Sequence, residues 1–297
     1  MRNDNSASNK SKYVFQLILL ESKRLFSFSK KLWNNKRSRI GMVILGALII
    51  MGIFGQFVTP YSPYDTSFTP WQQPSLRHLL GTDYDGADVF SMFLFGTGTS
   101  LLVGFSVAVL GGTLGILVGV MAGFFESAID NVLMRFVDIL LVIPAFPLLV
   151  IFSAYFPPTL LSTVVILSIF SWPYFSRVIR SQTLTLKQRT YVTASKLCGL
   201  SSTRLILREI IPNLLPLIFI NLVFLVVVAV AAQAGLAFFG LGDLSSINWG
   251  TMLYWFQAED GMAYNAWGWI LSAGVGIILL GLGGNLLSNG MSEITRE

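Results

Sequence analysis

Residues 210–242 read IIPNLLPLIFINLVFLVVVAVAAQAGLAFFGLG and contain no Asp, Glu, Lys or Arg. A helix needs about 20 apolar residues to cross the hydrocarbon core of a bilayer, so this stretch is long enough to span a membrane. Four more stretches without a charged residue are also long enough, at 40–64, 89–125, 139–176 and 261–292. Each stretch therefore predicts at least one membrane-spanning helix.

Charged residues are scarce throughout the chain. They make up 12% of its 297 residues, and hydrophobic residues make up 54%. A soluble domain carries about 25% charged residues, roughly twice as many. This composition excludes a water-soluble enzyme, and with the charge-free stretches it predicts an all-α integral membrane protein.

The longest charge-free stretch, 139–176, exceeds the length of one span and contains Pro157 and Pro158. Two successive prolines remove two backbone donors and end a helix, so we expect two helices joined by a tight turn. Pro144 and Pro147 should kink the first of the two. The chain is thus predicted to form six transmembrane helices, at 40–59, 96–125, 132–156, 159–176, 212–240 and 266–290.

Basic residues are concentrated in two segments. Ten of the twenty Lys and Arg precede residue 40, and seven more lie within 177–209. Because short cytoplasmic loops are rich in Lys and Arg, these segments are predicted to be cytoplasmic, together with the C-terminus. The segments on the other side are acidic. The positive charge therefore reflects membrane topology, and no nucleic-acid partner is expected.

The resulting organisation is a tail, a first span, an external segment and a larger core. Residues 1–39 form a basic cytoplasmic tail, 40–59 the first span, 60–95 the external segment and 96–293 the core. The core includes a cytoplasmic loop at 177–211. The tail has two open interpretations, an interfacial helix on anionic lipid and a solvated segment.

Several kinds of chemistry are missing from the sequence. There is no Gly-Lys pair and hence no P-loop, so the chain is not expected to bind ATP in that manner. The middles of the predicted spans carry no ionisable residue, which argues against a proton-coupled carrier. One cysteine and one histidine leave no metal-ligand motif, so no metal is expected, including at the external His78, Asp83, Asp85 and Asp88.

Two polar or small-residue features lie inside the predicted spans. Four glycines recur at every fourth position of the second helix and predict close helix packing: Gly111, Gly115, Gly119 and Gly123. Gln233 is the one strongly polar side chain at depth in the fifth helix. Its role remains open between an interhelical hydrogen bond and a place on the translocation path.

Four tryptophans near the predicted outer ends of the fifth and sixth helices are interpreted as an interfacial aromatic belt, with stacking on a sugar as the alternative. They are Trp249, Trp255, Trp267 and Trp269.

The cytoplasmic loop predicts two short helices at an angle. An apolar pattern over 191–197 ends at Gly199, and a second pattern follows Ser201 and Ser202. Glycine ends helices in the left-handed conformation and serine begins them. Apolar residues on both sides of the turn favour a docking element over a solvated linker.

This loop resembles the cytoplasmic motif EAA-x3-G-x9-I-x-LP of permease subunits of binding-protein-dependent ABC importers. Ala194, Gly199 and Pro212 match at the same spacing. Thr193, Ser195, Glu209 and Ile211 stand where the family has Glu, Ala, Ile and Leu.

Three further segments are similar to the peptide/nickel branch, the DppC/OppC type. Residues 80–91 resemble LGTDxxGRDxxS, 236–242 resemble LSFLGLG, and 249–253 match WGxML. An Asn-Leu-Leu at 285–287 followed by Gly290 matches a fourth. The departures are Ala87 and Met92 in place of two arginines, and Gln233 in place of a glutamate.

The resemblance implies the type I ABC importer permease fold and a non-catalytic half-channel in the cell membrane. A second permease would complete the pore, two cytoplasmic ATPases would bind ATP-Mg, and an external binding protein would deliver di- or oligopeptides. Oligosaccharides or a nickel or metal chelate are alternative substrates, and a stand-alone carrier or channel is the alternative class. No cofactor is implied for this chain.

The resemblance also implies roles for individual residues. The ATPase-docking residues would be Tyr191, Thr193, Ala194, Ser195, Gly199, Leu200, Ser201, Leu205, Arg208 and Pro212. The external family motif would contact the binding protein, and it comprises Gly81, Thr82, Asp83, Gly86, Asp88, Trp249 and Gly250. For His78 and the nearby aspartates, a structural turn is the alternative.

Overall fold

The structure is a computed structural model that describes residues 31–125 and 128–296; the predicted tail up to residue 30 lies outside this range. Its helices are α1 (Lys36–Val58), α2 (Val89–Phe125), α3 (Ala128–Val142), α4 (Ala145–Tyr155), α5 (Leu160–Lys187), α6 (Thr190–Leu197), α7 (Ser202–Phe238), α8 (Trp249–Ala258) and α9 (Trp267–Arg296). Within these residues the regular secondary structure is helical, apart from one isolated antiparallel bridge between Thr82 and Asp88.

Five helices are long and apolar enough to cross a membrane: α1, α2, α5, α7 and α9. Asp130–Val142 and Ala145–Tyr155 pass the same criteria only together, and they are bent by 88°. The described residues therefore provide five or six candidate spans. The predicted kink in 132–156 is a full break, because Pro144 precedes α4 with extended backbone (φ −58°, ψ 118°). A residue before proline is pushed out of the helical region, which ends α3 before Pro144.

The centre of the bundle is α2, which packs against α1, α5 and α7, while α9 packs against α1 and α7. The α2–α5 contact is made by the stripe of four glycines. A Cβ added at Gly119 would lie 2.6 Å from the Ser176 carbonyl oxygen and 2.7 Å from the Ile179 Cβ. One at Gly123 would lie 2.7 Å from the Thr183 Cβ. Only glycine therefore allows the two helix backbones to lie this close.

The loop predicted at 177–211 differs from the sequence-based expectation in one respect. The second of the two short helices is the beginning of α7, which continues without interruption from Ser202 to Phe238. Pro212 does not break this helix, because the preceding residues, Ile206–Ile210, form a π-helical turn. Such a turn changes the hydrogen-bond register and so accommodates the residue that cannot donate. The nearby Glu209 carbonyl accepts from the Asn213 side chain at 2.6 Å.

Candidate functional site

The 177–211 loop, which the sequence predicts to be cytoplasmic, is anchored to the bundle by its apolar side chains. Val192 of α6 and Leu205 of α7 are buried in one cluster with residues of α2, α5 and α7. This cluster includes Phe124, Phe175 and Ile210. Because the burial is contiguous, α6 is held against the ends of the long helices and is not a free linker.

Gly199 forms the turn between α6 and α7. Its φ of +84° is in the left-handed region, where glycine is favoured over other residues. Its N–H donates to the Lys196 carbonyl at 3.0 Å, and the Leu200 N–H donates to the Ser195 carbonyl at 3.2 Å. These bonds satisfy the last carbonyls of α6. Nothing lies within 4 Å of the position that a Cβ would occupy, so the turn has an open side.

The open side of the loop exposes apolar side chains. Leu197 is 84% exposed and Tyr191 is 41% exposed. Most of the sequence-predicted docking residues are also at the surface, but Leu205 is only 2% exposed and belongs to the core. Leu197 belongs to the apolar pattern of 191–197, but a sequence pattern does not show which apolar side chain of a short helix points outward.

The external segment is a compact, hydrogen-bonded unit in front of α2. The Thr82 hydroxyl donates to the Thr69 carbonyl at 2.7 Å and accepts from the Gln72 N–H at 2.8 Å. The Trp71 N–H donates to the Asp83 carbonyl at 3.0 Å. Thr82 also pairs with Asp88 in an antiparallel bridge. The motif therefore folds the segment back on itself.

Asp83 holds the turn that leads to α2. Its Oδ1 accepts from the Ala87 N–H at 2.6 Å and from the Asp85 N–H at 3.0 Å. Burial raises the pKa of Asp83 from 3.8 to about 6, although these hydrogen bonds lower it. Burying the Asp83 carboxylate therefore costs desolvation free energy, and the hydrogen bonds from the backbone N–H groups offset part of that cost.

The burial of the external motif argues against a direct partner contact. Thr82, Asp83 and Asp88 are almost fully buried. So is Trp249, whose indole N–H donates to the Thr97 hydroxyl at 3.2 Å and whose main-chain N–H donates to Ser100. A Cβ on Gly250 would lie 2.6 Å from the Ala234 Cα. These residues cannot form a docking surface in this conformation, and the structural-turn interpretation fits them.

The aromatic-belt interpretation is wrong for two of the four tryptophans. Trp249 and Trp269 are completely buried, whereas Trp267 is half exposed. Trp269 lies against Tyr84 and Phe256, with ring centroids 6.1 and 6.0 Å away. An interfacial side chain must reach lipid headgroups, which neither buried indole can do.

Gln233 lies near the outer end of α7 and is 6% exposed. It lines a small recess with residues of α5 and of the 241–248 connection. The interhelical hydrogen bond considered for its side chain is not formed among the described residues. Within those residues, no group of three or more His, Cys, Asp or Glu is placed to hold a metal ion.

Comparison with known proteins identifies the class of this bundle. A family model described as "Binding-protein-dependent transport system inner membrane component" matches residues 115–294, and "N-terminal TM domain of oligopeptide transport permease C" matches 27–76. The fold is similar to a chain of the inward-facing MetNI methionine ABC transporter, with a TM-score of 0.55 and 19% identity over 69% of this chain and 95% of that one. The fold is therefore that of a membrane-spanning permease component of an ABC transporter.

The curated relatives show to which branch of the ABC transporter permeases the chain belongs. The oligopeptide transport system permease protein OppC of Bacillus subtilis (strain 168) is 31% identical over 88% of this chain and 85% of its own. The di/tripeptide transport system permease protein DppC of Pseudomonas aeruginosa (strain UCBPP-PA14) is 34% identical over 89% and 90%. The chain belongs to the DppC/OppC-type permeases of binding-protein-dependent ABC importers.

Proposed function

We propose that this chain is one of two membrane-spanning subunits of an ATP-driven importer of di- and oligopeptides. An extracytoplasmic binding protein delivers the peptide, and two cytoplasmic ATPases bind and hydrolyse ATP-Mg. The second permease is a related but different chain, and this chain has no catalytic role of its own. The names of its relatives, which are oligopeptide and di/tripeptide permeases, support the substrate class.

The proposed topology has six spans with both termini in the cytoplasm. It counts α3 and α4 as one broken span, which is compatible with their combined length and hydropathy. The described basic residues at the end of α5 and in the 187–208 region then lie on the cytoplasmic side, as the positive-inside rule requires.

The observation that carries the proposal is that the cytoplasmic loop has one side buried against the bundle and one side exposed. Its inner side is fixed to the bundle through Val192 and Leu205, and its outer side exposes Leu197 beside the Gly199 turn. Leu205 is itself part of α7, which runs on to Phe238 near Gln233. A force applied to the loop by an ATPase would thus act directly on a helix that crosses the bundle, which is rigid-body coupling through a packed contact.

The test is purification of the tagged chain in mild detergent, identification of the co-purified chains, and reconstitution in proteoliposomes. We expect a second permease, a P-loop ATPase and a binding protein, and uptake of labelled dipeptide that requires both ATP and the binding protein. If that binding protein binds an oligosaccharide or a nickel chelate and no peptide, the proposed substrate class is wrong and the bound compound is the substrate. Transport by this chain alone without ATP would contradict the importer and favour a stand-alone carrier or channel.

A further inference from the structure

The recess beside Gln233 contains a buried side chain with no protein partner. The residue Gln233 is 6% exposed, and its side chain makes no hydrogen bond within the described residues. An amide with no protein partner that lines a recess can donate to, or accept from, a ligand or a water molecule there. Gln233 lines the recess at the outer end of α7, between α5 and the 241–248 connection.

Most of the accessible wall of this recess is apolar, and polar residues contribute the remainder. Four polar side chains line it together with Gln233: Thr163, Asp243, Ser246 and Asn248. In this conformation there is room for about one water molecule. A primary ammonium group is of similar size, carries three donors and accepts nothing, which suits a carboxylate and an amide oxygen.

The charge in the recess comes from Asp243. Its Oδ1 accepts from the Ser245 N–H at 3.1 Å and from the Ser245 hydroxyl at 2.5 Å. Within the described part of the chain no basic residue pairs with this carboxylate, and its Oδ2 accepts no hydrogen bond. The negative charge also contributes, after burial, to the raised pKa of Tyr64 nearby. The carboxylate is therefore available to an external cation.

An external groove of about 300 Å³ adjoins the recess, and Ser246 lines both. The groove is lined by Tyr64, Tyr84 and Trp255, together with Asp83 and Asp85. Aromatic faces and carboxylates both attract cations. A substrate with a positively charged end would thus meet a favourable surface before it reaches Asp243.

We propose that Asp243 and Gln233 form a subsite for the primary ammonium group of a peptide at the outer end of the translocation path. Asp243 supplies the countercharge and the Gln233 carbonyl oxygen accepts one ammonium N–H. The inference rests on the proposed function, because the α-amino group is the cation that di- and oligopeptides have in common. It adds a recognition step in the permease to the selection made by the binding protein.

The test uses the complete reconstituted importer, with peptide at a concentration that saturates the binding protein. Asp243→Asn keeps the oxygen that accepts from Ser245 and removes the charge, so we expect about tenfold slower uptake, because charge-assisted hydrogen bonds are the strong ones. Gln233→Leu should slow uptake similarly, while its melting temperature stays the same or rises. Asp260→Asn is the matched control. Asp260 is outside the recess and has a φ of +58°, which asparagine tolerates, so its uptake should equal that of the wild type.

The pH dependence identifies the group that binds. An α-amino group loses its charge near pH 8. The uptake rate of Asp243→Asn relative to the wild type should therefore rise towards one between about pH 7 and pH 9.

Several outcomes would overturn the subsite. Wild-type rates in Asp243→Asn at every pH would do so, as would a reduction that does not change with pH. A lower melting temperature in Gln233→Leu would show that the amide is structural. Failure of the wild-type complex to take up any peptide would instead contradict the proposed function itself, and the subsite with it.

Discussion

His78 Nδ1 lies 2.8 Å from Asp88 Oδ1, and both side chains are almost fully buried in the segment that connects α1 to α2. The imidazole is flanked by the rings of Tyr61 and Phe68, with centroids 5.2 and 4.7 Å away. Oδ2 of the same aspartate accepts from the Ser91 N–H at 2.8 Å and from the Ser91 hydroxyl at 2.7 Å. One carboxylate therefore ties the external segment to the first turn of α2.

Asp88→Ala should strongly destabilise the external segment. The substitution removes the N-cap of α2 and leaves His78 buried without its partner. Loss of a cap costs about 1 kcal/mol and a buried unpaired group about 1–3 kcal/mol, so we expect a loss of roughly 2–4 kcal/mol. Thermal unfolding in detergent measures it. Asp85→Ala, at an exposed position, is the control and should melt like the wild type. Equal melting temperatures for both variants would refute the role of Asp88.

Asp83→Asn should remove a pH dependence of stability. Since the folded-state pKa of Asp83, about 6, lies above its ordinary 3.8, the folded chain binds the proton more tightly than the unfolded chain. Its contribution to stability is therefore full below about pH 4 and is lost as the pH rises to about 6. The difference of about two pKa units corresponds to roughly 3 kcal/mol as an upper limit.

Asparagine keeps the oxygen that accepts from Ala87 and Asp85 but cannot ionise. Relative to the wild type, the variant should therefore be more stable at pH 7 than at pH 4.5. Melting temperatures of both proteins at these two values measure the effect. Parallel pH profiles for the two proteins would show that Asp83 does not titrate in this window.

Gly119→Ala tests the close contact between α2 and α5. The new methyl group would overlap the Ser176 carbonyl oxygen, which belongs to the backbone and cannot move aside alone. Overpacking of this kind costs about 1–3 kcal/mol, so we expect a lower melting temperature and a lower yield. Gly46→Ala in α1 is the matched control, because nothing lies within 4 Å of its added Cβ. There alanine should stabilise the helix slightly. A harmless Gly119→Ala would contradict the packing.

The long helices follow from the sequence because hydrophobic length is a local property. The charge-free stretches correspond to α1, α2, α5, α7 and α9, and the period of four glycines in α2 indicates a helix face that is free of side chains. The turn at Gly199 was also predictable, since a left-handed residue is needed where α6 ends.

Features that depend on packing could not be read in this way. Trp249 and Trp255 lie on the same helix, yet only Trp249 is fully buried, where it contacts Thr97 and Ser100 about 150 residues away in sequence. The full break between α3 and α4 could not be predicted, because the sequence does not show how far the chain bends at Pro144. Leu205 matched a docking pattern, but its burial depends on side chains of three other helices.

Leu197→Asp should separate ATPase docking from folding. Leu197 is 84% exposed at the end of α6, so a carboxylate there stays in water and should leave the melting temperature of the chain unchanged. In the proposed complex this side chain faces the ATPase, and a buried unpaired charge at an interface is strongly unfavourable. We expect much less ATPase to co-purify and peptide uptake to be lost. Quantitative pull-down and uptake by proteoliposomes are the measurements.

Leu205→Asp provides the contrast, because the same change is made inside the cluster that holds α6 to the bundle. A carboxylate there is desolvated without a partner, so this variant should have a lower yield and a lower melting temperature. Its defect would then be one of folding and not of docking. Cys198→Ser, at an exposed position beside Leu197, should behave like the wild type in every assay. If Leu197→Asp binds the ATPase normally, the exposed side of α6 is not the contact. If it melts as poorly as Leu205→Asp, Leu197 belongs to the core and the two-sided description of the loop is wrong.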